Sequence, residues 1–142
     1  MSEEFSLPIR VYIEDTDAGG IVFYANYLKF MERARTEMIR ESGYEIRSGL
    51  QDGVNFVVSG LSIDYRSPAR LDDLLLSRVR IARLGKSRIV FDQRIVRAED
   101  SGSGTVYREL AVAEVVVGCV SLSSGKPVKM PVAMRDALLN KM

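Results

Sequence analysis

The chain has 142 residues, 46% apolar and 27% charged, with a net charge of +1, one cysteine and no histidine. That is one domain, 1–142, large enough to fill a core, and its near-neutral charge excludes a dedicated nucleic-acid binder. The missing histidine excludes Ser-His-Asp and Cys-His catalysis and Cys/His metal sites, so no metal is expected.

The N-terminus, Met1–Ser6, is acidic and lacks the apolar run of a signal peptide. The first strand is read at Leu7–Glu14. The loop Asp15-Thr16-Asp17-Ala18-Gly19-Gly20 follows, then a short extended piece, Ile21–Tyr24. From Asn26 the period changes. Tyr27, Phe30, Met31, Ala34, Met38 and Ile39 recur at helical spacing, which predicts an amphipathic helix over Asn26–Ser42 with Gly43 just past its end. Gly49–Gly53 reads as a loop.

Four strands are predicted next, at Val54–Tyr65, Leu74–Leu84, Ser87–Val96 and Thr105–Leu122. Ile89, Phe91 and Ile95 share one face of the third. Leu84-Gly85-Lys86 reads as a tight hairpin turn and Asp100–Gly104 as a looser one. The apolar stretch Val115–Val120, which holds Cys119, is far shorter than the ~20 residues of a membrane helix. Cys119 is therefore expected in the core, and a lone cysteine fits a reducing, cytoplasmic setting with no membrane insertion. Val132–Lys141 is read as a terminal helix. Helix and strand do not alternate, so the class is α+β: an antiparallel sheet on one long helix. One helix covers only one face of such a sheet, so an oligomer is expected.

Short motifs fail where they are tested. Gly85-Lys86-Ser87 has the tail of a P-loop, but its upstream glycine position is Arg80 and it joins two strands. Gly102-Ser103-Gly104 lacks the third glycine and following helix of a dinucleotide site. The Asp15–Gly20 loop is different. Acids and glycines stand just before a helix start, where unpaired N–H groups and a partial positive charge favour an oxyanion. With no histidine, a carboxylate here would do the work of base or nucleophile. The residue spacing alone leaves open whether Asp15 and Asp17 are catalytic or simply cap a turn. The aromatics Phe23, Tyr24, Tyr27 and Phe30 are read as acyl-pocket lining or core, and Glu32, Arg33 and Arg35 as a surface or interface charge cluster. Arg83, Lys86 and Arg88 gather three cations at one hairpin, either a solvated turn or a phosphate anchor.

The run Val11–Arg35, with Glu14-Asp15-Thr16-Asp17-Ala18-Gly19-Gly20-Ile21-Val22 and Ala25-Asn26-Tyr27 at its centre, resembles the signature of the 4-hydroxybenzoyl-CoA thioesterase family of hotdog fold. Tyr65–Asp73 and Gln93–Val96 are also similar, so the resemblance spans nearly the whole chain. It implies an acyl-CoA thioesterase that uses no cofactor beyond the CoA of its substrate. Its sites would lie at the interface of a homo-oligomer, dimer or tetramer. By position it implies that Asp17 is the catalytic carboxylate, that Asp15 is structural, and that the Tyr24 N–H polarises the thioester carbonyl. Arg83, Lys86, Ser87 and Arg88 would then meet the nucleotide end of CoA. Members associated with the bacterial Tol–Pal envelope system typically carry histidine at the Tyr24 position, so no histidine-dependent role transfers here. The resemblance leaves open a short-chain or aromatic acyl group and CoA or acyl carrier protein as donor. Hotdog dehydratases depend on histidine and do not fit. A non-catalytic acyl-CoA-binding or envelope-associated module is the alternative reading.

Overall fold

The computed structural model describes residues 4–142, so residues 1–3 of the acidic N-terminus lie outside the described residues. Its elements run β1 (Phe5–Arg10), a 3-10 turn (Ile13–Asp15), α1 (Asn26–Glu41), α2 (Ile46–Gln51), β2 (Val54–Tyr65), β3 (Leu74–Leu84), β4 (Arg88–Asp100), β5 (Thr105–Ser121) and α3 (Val132–Leu139). The strands form one sheet in the order β1-β3-β4-β5-β2, and every pairing is antiparallel. The fold is α+β, as the run of strands after one long helix requires.

α1 packs against β1, β3 and β4. Its buried residues are Tyr27, Phe30, Met31, Ala34, Met38 and Ile39, the stripe that the periodicity predicts. They meet Leu75, Ile81, Ile89, Phe91 and Ile95 from the sheet, all at most 1% exposed. Burying each such aliphatic or aromatic side chain is worth about 1.5–3 kcal/mol, which makes this interface the main source of stability. Two polar side chains on the same sheet face are fully buried and matched to helix carbonyls. Ser77 Oγ donates to Phe30 O at 2.9 Å, and Gln93 Nε2 donates to Met31 O at 2.9 Å. They fix the height of α1 over the sheet, because a displaced helix would leave them unpaired in the core.

Four boundaries differ from the sequence reading. β1 stops at Arg10 because Asp15 Oδ2 accepts the Tyr12 N–H at 2.8 Å and winds Ile13–Asp15 into a turn. Ile21–Tyr24 is not a strand: it makes only isolated bridges, Thr16 with Val22 and Ile21 with Arg70. Residues 46–51, read partly as loop, form α2, where Gly49 lies beneath the Tyr44 ring and a Cβ would meet its hydroxyl at 2.3 Å. β4 runs on to Asp100, past a register shift after Ile95 where β5 gains Leu110, itself fully buried. Gly43 ends α1 as expected, at φ +97°. β2 is a sheet edge, and Val57, Val58, Leu61 and Tyr65 on it are exposed.

Candidate active site

The Asp15–Gly20 loop is a short hairpin closed on itself. Asp17 N–H donates to Ile21 O at 2.9 Å and Phe23 N–H to Asp15 O at 2.9 Å. Gly20 turns the chain at φ +78°, a left-handed conformation that other L-residues adopt only at a cost. The segment Ala69–Asp73 holds the hairpin from outside. Val22 N–H donates to Ala69 O at 2.8 Å and Leu71 N–H to Gly20 O at 3.1 Å.

The two aspartates are engaged differently. Asp15 is locked into local structure: its carboxylate takes the Tyr12 N–H, and its carbonyl also takes Asn26 Nδ2 at 2.8 Å. Asp17 is exposed, and only Oδ1 has a partner, the Gly19 N–H at 2.8 Å. That Asx-type bond orients the carboxylate and leaves Oδ2 unengaged among the described residues.

α1 begins just beyond. Asn26 N–H donates to Phe23 O at 2.8 Å, closing a turn with Tyr24 and Ala25 at its centre. Ala25 stands at the N-cap and makes no side-chain cap bond, where serine or aspartate would ordinarily satisfy the first-turn donors. Among the described residues, the Tyr24 and Ala25 N–H groups meet no acceptor. An uncapped helix start of this kind stabilises negative charge through its free donors and its dipole.

Beside this start lies a cavity of about 360 Å³, lined by Ile21, Val22, Tyr24, Tyr27, Tyr65 and Pro68 among others. Tyr65 meets Tyr27 and Tyr24 edge-on, with ring centroids 5.5 and 6.2 Å apart. Tyr27 is buried, its hydroxyl accepts the Ala69 N–H at 2.9 Å, and burial pushes its phenol above the ordinary value. Phe30, by contrast, is a core residue at 0% exposure and does not line this cavity. Tyr65 is a lining residue that sequence reasoning missed, because it is 41 residues from Tyr24 and no local spacing links them.

The hairpin cations stand elsewhere. Gly85 N–H donates to Arg88 O at 2.8 Å, and the C-terminal segment braces the turn through Met130 N–H to Lys86 O at 2.8 Å. Arg83, Lys86 and Arg88 are exposed, Ser87 is half-buried, and none of the three cations is ion-paired among the described residues. β3 separates this turn from the Asp17 loop. The loop is bonded to residues 69–73, just before β3, whereas the turn follows Leu84 at its end. Eleven strand residues span about 33–36 Å, so one chain does not bring Asp17 and these cations together.

The Glu32–Arg33–Arg35 cluster is not wholly a surface feature. Arg35 turns inward, donates to Gln93 Oε1 at 2.8 Å, and stands 6.0 Å over the Phe91 ring. Burial lowers its guanidinium pKa from the ordinary value, while Glu32 acts in the opposite sense. Cys119 is 1% exposed, and burial raises its thiol pKa, as suits a core residue. No group of acidic, histidine or cysteine residues among the described residues is arranged to hold a metal. No helix among them is long and apolar enough to cross a membrane.

Comparison with known proteins identifies the chain's relatives. Residues 19–103 match the model of the thioesterase superfamily. An acyl-CoA thioester hydrolase, YbgC, of Escherichia coli O6:H1 is 44% identical over 127 residues, covering 89% of this chain and 90% of that protein. The acyl-CoA thioesterase YbgC of Haemophilus influenzae is 42% identical, over 94% of this chain and 93% of its own. Among solved structures, a probable thioesterase from Bartonella henselae is 32% identical, with a TM-score of 0.74 over 91% of this chain and 99% of that one. The matched model covers more than half of the chain and the two curated relatives nearly all of it; this chain belongs to the thioesterase superfamily, with the hotdog fold.

Proposed function

We propose that this protein hydrolyses acyl-CoA thioesters to a free acid and CoA, with Asp17 and the Tyr24 N–H as its catalytic groups. The observation that carries the reading is a carboxylate oriented through one oxygen, Asp17 Oδ1 on Gly19 N–H, in a hairpin that Asp15 O bonds to the start of α1, which lacks a cap. The curated relatives named above are acyl-CoA thioester hydrolases, which fixes the bond class proposed.

In the reaction, the thioester oxygen meets the Tyr24 N–H, which with the helix dipole stabilises the oxyanion as the carbonyl is attacked. Asp17 acts through its free oxygen in one of two ways. As nucleophile it adds to the carbonyl carbon, CoA leaves as thiolate, and water hydrolyses the resulting mixed anhydride, returning Asp17. As general base it takes a proton from the attacking water. Both consume one water and release one acid and one CoA, and no cofactor takes part.

The cavity lined by Tyr24, Tyr27 and Tyr65 supports a short-chain or aromatic acyl group. Arg83, Lys86, Ser87 and Arg88 are proposed to hold the nucleotide phosphates, as unpaired cations suit. Their distance from Asp17 within one chain supports a site shared between copies, with the exposed apolar edge of β2 as the pairing surface of a dimer. A cytoplasmic setting, where acyl-CoA is made, suits the reading; acyl carrier protein is a second possible donor.

The test is a panel of CoA thioesters from acetyl to palmitoyl, with benzoyl- and 4-hydroxybenzoyl-CoA, followed by thiol release. The highest kcat/KM is expected for a short-chain or aromatic member. Tight binding across the panel with no thiol released would instead support the acyl-CoA-binding module.

A further inference from the structure

Tyr65 stands at the end of β2, paired to Ala111 of β5, and the next two residues are anchored as well. Arg66 N–H donates to Leu110 O at 2.8 Å and Ser67 N–H to the same oxygen at 3.2 Å. The phenol is thus mounted on a rigid element. Its hydroxyl donates to Tyr24 O at 2.9 Å. Burial, and to a lesser degree Tyr24, raises the Tyr65 phenol pKa above the ordinary value.

The bond acts on one particular peptide. The carbonyl of Tyr24 and the N–H of Ala25 lie in the same peptide plane and point in opposite directions within it. The preceding plane, which carries the Tyr24 N–H, is held by Asn26 N–H donating to Phe23 O at 2.8 Å. Tyr65 therefore supplies the second of two anchors. Together they fix the relative orientation of two successive N–H groups at an uncapped helix start. A hydrogen bond to a peptide carbonyl also polarises that peptide and strengthens its N–H as a donor.

We infer that Tyr65 is a positioning residue for thioester hydrolysis: through Tyr24 O it sets and sharpens the Tyr24–Ala25 N–H pair that receives the oxyanion, and so adds Ala25 N–H as a second donor. The inference rests on the proposed role of the α1 start. Tyr65 differs from the cavity's apolar lining because its hydroxyl, not its ring, carries the effect.

The test uses Tyr65→Phe, which keeps the ring contacts with Tyr24 and Tyr27 and removes only the hydroxyl. Steady-state assays of the folded variant are expected to show kcat reduced roughly fivefold to tenfold with KM unchanged, the loss of one ordinary hydrogen bond acting at the transition state. The direct readout is the infrared carbonyl stretch of 13C-carbonyl benzoyl-CoA or butyryl-CoA, whichever the wild type hydrolyses faster. The thioester is bound to Asp17→Asn to prevent turnover. The stretch is expected to move to lower frequency on binding to Asp17→Asn, and to lose a large part of that shift in Asp17→Asn/Tyr65→Phe. An equal shift in the two proteins overturns the role of Tyr65 and leaves the helix-start donors standing. No shift in Asp17→Asn itself overturns the donor reading and this inference with it. A rise in KM with unchanged kcat would show that Tyr65 only shapes the cavity, and would also overturn it.

Discussion

Tyr24→Pro isolates the helix-start donor, because proline differs from other residues there chiefly in lacking the N–H. The position accepts it. Tyr24 is the first central residue of the turn closed by Asn26 N–H on Phe23 O, and Ala25 follows at φ −70°, ψ −22°. Proline is favoured at such a position and in the first turn of a helix. Phe23 is tied by its N–H to Asp15 O and lies ahead of α1, so the restriction that proline puts on the residue before it falls outside the helix. Since the Tyr24 N–H meets no acceptor among the described residues, no internal hydrogen bond is lost. The substitution also removes a ring that is 63% exposed and touches Phe23 and Tyr65, so Tyr24→Ala is the reference. Losing one oxyanion donor costs about 2.7–4 kcal/mol, which is 10²–10³ in kcat. Thiol release from CoA thioesters measures it, with buried Cys119 contributing little background. Tyr24→Pro should fall about 10²–10³ below Tyr24→Ala in kcat while melting at a similar temperature. Equal kcat values for the two variants would refute the donor assignment.

Substitutions at three further places test other parts of the account. Arg83→Ala, Lys86→Ala and Arg88→Ala, singly and together, should raise KM for CoA thioesters with little change in kcat, and the effect should shrink as salt is added; an unchanged KM for the triple variant at low salt would remove the hairpin from the CoA site. Gln93→Leu removes both the Met31 contact and, among the described residues, the only hydrogen-bond partner of the half-buried Arg35 guanidinium. It should lower stability by about 2–3 kcal/mol and the melting temperature by roughly 4–10 °C; an unchanged melting temperature would show that the pair is not needed to seat α1. Gly20→Ala meets no atom within 4 Å, so its cost is the left-handed backbone alone, about 1–2 kcal/mol. Gly20→Asn should melt between wild type and Gly20→Ala, and the reverse order would show that something other than φ governs the position.

Much of the fold was legible because its signals are local. The α1 stripe was readable residue by residue, and β2 and β3 end where the turn residues around them predict. α2 was obscured by Gly49, a poor helix former that stands where a Cβ would overlap the Tyr44 hydroxyl. β1 was drawn too long because Asp15 folds back on Tyr12, a side-chain bond that hydrophobic alternation does not register. The chemistry was legible only in part. The Asp15–Gly20 loop stood out by its acids and glycines, and its resemblance to a family signature divided the roles of the two aspartates. The structure shows the two engaged differently: Asp15 has its carboxylate in a turn, while Asp17 has one oxygen without a partner among the described residues. Tyr65 and the inward turn of Arg35 toward Gln93 depend on contacts 41 and 58 residues apart in sequence, so no spacing rule reaches them. The distance between the hairpin cations and Asp17 depends on sheet register and was likewise invisible in the sequence.

The central claim is that Asp17 performs the chemistry. Asp17→Asn retains the shape of the side chain and an oxygen to accept the Gly19 N–H, so the loop should keep its geometry. It removes the negative charge that either attacks the thioester or activates water. Measured on the best thioester of the panel, kcat for Asp17→Asn should fall by at least about 10²-fold with the substrate still bound. Undiminished kcat in a correctly folded Asp17→Asn protein would contradict the account.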